Sequence, residues 1–280
     1  MNVLFSQYYP AIQAPVCAVP LVLLHGWGTD SRSWTSVLPQ LNKQFNVITL
    51  DLPNFGQSPP LHSADLDAWL ALIIAALPER SLLLGWSLGG MLATQLAARY
   101  PHRVAALITL ASNVSFIQRD GWQAAMTDVV EQHFYRDFMG SSQLTLKRFC
   151  VLQAQGEIDE RAAVKHLRGL LRLTATNLNA GWGKSLQLLS RIDNRKIFSA
   201  LNLPGLHIFA QNDSLVPVAC AREIQQLNSR QQVSVLDCCG HALHQHESDA
   251  QLELLAQLQN FLCLQASCLP SAPFVAPVSV

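Results

Sequence analysis

The sequence predicts an α/β fold with a mostly parallel central sheet and one helical insertion. Three observations predict it. Short apolar runs alternate with helix-compatible stretches over most of the 280 residues, the pattern of strands joined by crossover helices. The alternation stops between about Ser112 and Arg195, where the pattern is helical with few β-rich runs. Between these features, Gly85-Trp86-Ser87-Leu88-Gly89 links an apolar run directly to a helix-compatible one, a sharp strand-to-helix turn.

A weak strand is expected before Cys17, followed by strands at Leu21–Leu24 and Val47–Leu50. A helix over Leu66–Leu77 is stopped by Pro78. The strand Ser81–Leu84 runs into the turn at Ser87, and the helix from Ser87 to Arg99 is stopped by Pro101. A strand at Ala105–Leu110 precedes the insertion. After it come a strand at Leu206–Ala210, a helix at Val218–Leu227 and a strand at Gln232–Leu236. Ser248-Asp249-Ala250-Gln251 has a capping-box pattern and opens a last helix with Leu252, Leu255 and Leu258 on one face. Ala266–Val280 is uncharged, contains three prolines and has no period, so disorder is expected there. The expected organisation is a core of residues 1–111 and 198–264, a helical lid over 112–197, and a tail over 265–280.

Half the residues are hydrophobic and 14% are charged, which indicates a globular chain. Nineteen basic and nineteen acidic residues balance, which argues against a general nucleic-acid binder. The seven cysteines show no zinc-site spacing, and no metal or cofactor is implied. No signal peptide or membrane-spanning run is recognised, so a cytoplasmic monomer with free thiols is expected.

The turn at Ser87 fits a nucleophile elbow, where flanking glycines admit close backbone approach and a helix N-terminus favours negative charge. A serine nucleophile needs a base and an acid that orients it, in the chain order Ser, Asp or Glu, His. Asp213 follows the strand Leu206–Ala210, and His241 follows the strand Gln232–Leu236, so Ser87, Asp213 and His241 form the candidate catalytic set. Asp237 is the rival acid, and His244 and His246 are rival bases in a stretch expected to be exposed. The oxyanion donors expected are the backbone N–H of Leu88 and that of Trp27, in the glycine-flanked loop His25-Gly26-Trp27-Gly28. His25 itself reads as structural. In the insertion, Lys147–Arg172 holds six basic residues against three acidic ones. Arg161, Lys165, Arg168 and Arg172 recur at helical spacing, a cationic face suited to an anionic substrate or an acidic carrier.

On these segments the chain is similar to the pimeloyl-[acyl-carrier protein] methyl ester esterases of biotin synthesis, within the α/β-hydrolase superfamily. The resemblance rests on Leu23–Gly28, Asp51–Ser58, Gly85–Gly90, Leu110–Ser112 and Asp213–Pro217, and on Arg148–Gln153, which matches the family run R-F-x-x-L-Q. It covers roughly Pro20 to Phe261. It implies hydrolysis of the methyl ester that caps a pimeloyl chain on acyl-carrier protein. Carrier contacts fall on Arg148, Arg161 and Lys165, with Arg168 on the same basic face; a further family arginine is replaced near Leu144. Asn54 stands where the family has glycine. Trp27, Trp86 and Phe149 are expected to line an apolar slot. Leu88, Cys150, Val151, Leu152, Gln153 and His241 complete the expected substrate contacts. A general short-chain carboxylesterase and a non-catalytic ligand-binding protein of the same fold are the alternatives.

Overall fold

Runs such as Leu21–Leu24, apolar at every position, suit strands covered on both faces, and the sheet they form dictates where the loops emerge. The computed structural model describes residues 3–174, 178–245 and 248–269. Its strands are β1 (Ser6–Tyr9), β2 (Leu21–Leu24), β3 (Val47–Leu50), β4 (Ser81–Trp86), β5 (Val104–Leu110), β6 (Gly205–Ala210) and β7 (Gln232–Leu236). The helices are α1 (Leu38–Leu41), α2 (Leu66–Ala76), α3 (Leu88–Arg99), α4 (Asp128–Gly140), α5 (Ser142–Ala154), α6 (Glu160–Thr174), α7 (Gly181–Arg191), α8 (Arg195–Ser199), α9 (Ala219–Leu227) and α10 (Asp249–Ala266). The sheet order is β1-β3-β2-β4-β5-β6-β7, with β1 antiparallel at one edge and all other pairings parallel.

Side chains alternate across each strand, so two cores form. Val22, Leu24, Ile48, Leu83 and Leu107 pack with residues of α2, α3 and α9. Leu21, Leu23, Leu82, Leu84, Ala106 and Ile108 pack with residues of α1 and α10 on the opposite face. Because the central strands are parallel, the loops after β2, β4, β6 and β7 leave from one edge of the sheet. Helices α4 to α8 lie between β5 and β6 in the chain.

The last helix departs from expectation in its facing. Ser248 Oγ accepts from the Gln251 N–H at 3.1 Å, but the Gln251 side chain donates to His244 O, so only half of a capping box forms. Leu254, Leu258, Phe261 and Leu262 are the buried stripe, whereas Leu252 is 65% exposed. The helix continues to Ala266, into the stretch expected to be disordered; residues 270–280 lie outside the described set. Among the described residues no helix is long and apolar enough to cross a membrane.

Candidate active site

The β4–α3 turn leaves no room for side chains around Ser87. A Cβ on Gly85 would collide with the Gly89 carbonyl group, and one on Gly89 with the Leu24 carbonyl oxygen. Ser87 itself adopts φ 53°, ψ −117°, a conformation that costs a non-glycine residue of order 1–3 kcal/mol. The cost is offset by bonds that over-determine the turn. Ser87 N–H donates to Leu110 O at 2.9 Å, and Ser87 O accepts from Gly90 N–H, Met91 N–H and Ser112 Oγ.

Around that hydroxyl the structure brings Asp213 and His241 together with Ser87. His241 Nε2 lies 3.0 Å from Ser87 Oγ, and Nδ1 lies 2.8 Å from Asp213 Oδ2. The His241 and Asp213 side chains are 2% and 1% exposed. Asp213 Oδ1 accepts from the N–H groups of Leu215 and Val216 at 2.8 and 2.9 Å, which leaves Oδ2 aimed at the imidazole. An acceptor at Nδ1 dictates Nδ1–H, so Nε2 presents its lone pair to the serine hydroxyl. The rivals sit elsewhere. Asp237 is exposed on the β7 side of the loop. His244 is fully buried, not exposed as expected, between the rings of Trp34 and Trp86. His246 lies outside the described residues.

The Leu88 N–H is the first of α3, one the helix leaves without a carbonyl partner, and it adjoins the serine. The His25–Gly28 loop rises beside it from β2, whose Leu24 pairs with Gly85 of β4. His25 is buried at the base of this loop, where Nε2 accepts from Leu52 N–H at 2.9 Å and Nδ1 donates to Gly26 O at 2.8 Å. Burial pulls its pKa below the ordinary value, in keeping with a neutral structural imidazole. Asn54 has φ 78°, the left-handed region that asparagine tolerates, and its carbonyl accepts from the Trp182 indole at 2.9 Å.

An apolar cavity opens on Ser87. Trp27 and Leu215 belong to the sheet side of its wall. Phe116, Met126, Val130, Glu131, Phe134, Phe149, Leu152, Leu186 and Leu189 come from the insertion. The Trp27 ring meets Phe134, Phe138, Phe149 and Trp182 edge-on, and its indole N–H donates to Ser185 Oγ at 2.8 Å. Glu131 is the one acidic side chain in this wall among the described residues, and burial raises its carboxyl above the usual range.

Several expected contacts do not reach the cavity. Trp86 shares its strand face with Leu82 and Leu84, so its ring enters the core on the α10 side, over Gly26, and its indole donates to His241 O at 2.8 Å. Leu88 buries its side chain in the opposite core and offers only its backbone to the site. Consecutive helical residues point about 100° apart, so the run 149–153 cannot line one wall. Phe149 and Leu152 do, while Cys150 and Gln153 are buried behind them and Val151 faces solvent. His241 contributes through the serine, not through the cavity wall. The slot residues missed in the sequence carry a faint signal: Val130 and Phe134 are four apart on α4, and Leu186 and Leu189 three apart on α7.

Arg161, Lys165 and Arg168 line one open groove along α6 with Val164. Arg148, on α5, instead pairs with Asp137 at 3.8 Å and is absent from that groove. The Arg172 side chain lies outside the described set. Among the described residues no group of three or more His, Cys, Asp or Glu side chains is placed to hold a metal ion.

The profile of the alpha/beta hydrolase fold matches residues 19–247. A pimeloyl-[acyl-carrier protein] methyl ester esterase of Aliivibrio salmonicida is 36% identical over 243 residues, covering 86% of this chain and 91% of that protein. The biotin biosynthesis bifunctional protein BioHC of Cellvibrio japonicus is 43% identical over 241 residues, 86% of this chain; the chain spans about half (47%) of that relative's length. Among solved structures, an esterase from Exiguobacterium antarcticum superposes with a TM-score of 0.79 at 19% identity, over 94% of this chain and 99% of that one, a likeness of fold. The chain belongs to the α/β-hydrolase fold family and, within it, to the pimeloyl-[acyl-carrier protein] methyl ester esterase family.

Proposed function

We propose that this chain is a serine carboxylesterase that hydrolyses the methyl ester of pimeloyl-[acyl-carrier protein], freeing the pimeloyl carboxylate for biotin synthesis. The observation that carries the reading is the hydrogen-bonded series Asp213–His241–Ser87 at the end of an apolar slot. Ser87 Oγ attacks the ester carbonyl while His241 Nε2 takes its proton. Asp213 holds the imidazole in the required tautomer and stabilises the imidazolium that forms. The Leu88 and Trp27 N–H groups receive the oxyanion, each such donor being worth about 3 kcal/mol in the transition state. His241 returns the proton to the departing methoxide, which leaves as methanol while the acyl group stays on Ser87 Oγ as an ester. Water, deprotonated by His241, then releases the carboxylate and restores Ser87.

The slot suits the methylene chain because its wall is apolar, with Trp27, Phe149 and Leu186 around Ser87. In this reading the insertion acts as a lid over residues 112–197, and Arg161, Lys165 and Arg168 offer the cationic face an acidic carrier needs. All seven cysteines are free thiols, which fits a cytoplasmic enzyme. The test is growth rescue of a biotin-requiring strain that lacks this esterase. Rescue by the wild-type chain and not by Ser87→Ala is expected. Robust hydrolysis of small esters without rescue would favour a general short-chain carboxylesterase, and no hydrolysis of any ester a non-catalytic binding protein.

A further inference from the structure

One peptide group next to His241 is held from both ends. The Cys239 carbonyl accepts from Asn212 N–H at 3.2 Å, and the Gly240 N–H of the same peptide donates to Glu157 Oε1 at 3.0 Å. Asn212 precedes the acid Asp213. Glu157 belongs to the corner between α5 and α6, 83 residues before Gly240 in the chain. Downstream, the His241 carbonyl accepts from the Trp86 indole. The backbone on either side of the imidazole is therefore clamped by the acid loop, the insertion and β4.

The corner is fitted closely to both loops. Gly156 has φ 89°, and a Cβ there would collide with Asn212, whose Nδ2 donates to Gly156 O at 3.3 Å. A Cβ on Gly240 would collide with the Gln155 carbonyl oxygen. Glu157 is buried. The Cys239 thiol beside it is pushed up to about 12, chiefly by burial and further by the Glu157 and Asp213 carboxylates, which marks how close both acids come to this turn. A buried N–H left without an acceptor costs roughly 1–3 kcal/mol, enough for the turn to seek another conformation. A carboxylate acceptor makes the stronger, charge-assisted form of the bond.

We propose that Glu157 is a positioning residue for catalysis: by accepting the Gly240 N–H it fixes the backbone that aims His241 at Ser87, so the insertion helps to set the acid–base geometry as well as walling the slot. The inference rests on the esterase reading of Ser87 and His241. Glu157 touches neither substrate nor the reacting atoms, and its effect is exerted through the turn.

The test compares Glu157→Met, similar in length but without an acceptor, with Glu157→Gln, which keeps one, and with Ser87→Ala. Steady-state hydrolysis of p-nitrophenyl acetate is measured well below each variant's melting temperature, alongside the NMR resonance of the His241 Nδ1 proton. Glu157→Met should lower kcat about tenfold or more with KM within about twofold, as small misplacements of reacting groups do. Its Nδ1 resonance should shift or broaden. Glu157→Gln should restore kcat to within about threefold and keep the resonance in place. A small ester is used because it bypasses the carrier. Should Glu157→Met fail to fold, Glu157→Ala takes its place against Glu157→Gln. The proposal is overturned if the acceptor-less variant keeps wild-type kcat, if the loss lies in KM, or if Glu157→Gln is equally impaired. Full activity in Ser87→Ala would instead overturn the esterase reading beneath it.

Discussion

Replacing Asp213 with asparagine isolates the orienting role of the acid, because the structure dictates which way the new amide must face. Asp213 Oδ1 accepts from the N–H groups of Leu215 and Val216, so the amide oxygen of asparagine must take that place. Its NH₂ then lies where Oδ2 sat, 2.8 Å from His241 Nδ1. Two donors cannot face each other in a site this buried. The imidazole therefore moves its proton to Nε2, and the lone pair that should receive the Ser87 proton is gone. A tautomer error of this kind costs about 10⁴ in kcat, or about 5.5 kcal/mol at 1.36 kcal/mol per decade. The fold should persist, because both backbone N–H groups keep an acceptor. Initial rates on a soluble aryl ester, with a melting curve for each protein, provide the assay. A loss below about tenfold in a folded Asp213→Asn protein would refute the argument. So would a greater loss in Asp237→Asn.

Three further outcomes are expected. Phe149→Ala should lower kcat/KM for a long-chain methyl ester by about tenfold or more and for an acetate ester much less, since a buried aromatic contact is worth roughly 1.5–3 kcal/mol; equal losses would assign the ring to packing alone. Reversing Arg161 and Lys165 to glutamate should raise KM for a carrier-bound ester and flatten its salt dependence, because exposed charges are screened over about 8 Å near physiological salt; an identical loss on a small neutral ester would show that the insertion itself was damaged. His207 is buried between Thr109 and Gln231, and burial draws its pKa from 6.5 down to about 4. The unfolded chain therefore binds this proton first, and stability is lost as pH falls from about 6.5 to about 4. The loss is about 3 kcal/mol at 1.36 kcal/mol per pKa unit. Urea midpoints across that range should fall less steeply in His207→Gln, and parallel curves would contradict the assignment.

Local features were legible where a short stretch of chain carries its own reason. The Ser87 turn is written in Gly85 and Gly89, and the order of strand ends places Asp213 and His241 on loops of one sheet edge. Facing was legible only when a second element decided nothing. Trp86 adjoins Ser87 in sequence, yet strand alternation turns its ring away from the slot. On α10 the buried stripe follows what α1 and β7 offer, so Leu254 is covered and Leu252 is not. The slot's wall depends on how α4, α5 and α7 are rotated, which tertiary packing decides. Glu157 reads as one more acid in a charged corner until the fold carries Gly240 to it.

Trp27 carries two duties in one residue. Its backbone N–H is the proposed second oxyanion donor, while its ring is wedged among the insertion's aromatics and tied to Ser185. A change at Trp27 would alter chain preference and turnover together, and neither could be tuned alone. Positions such as Phe134, Leu186 and Leu189 border the same space without touching the sheet-edge chemistry. At such positions the substrate range could be redesigned while the proposed reaction at the sheet edge is left unchanged.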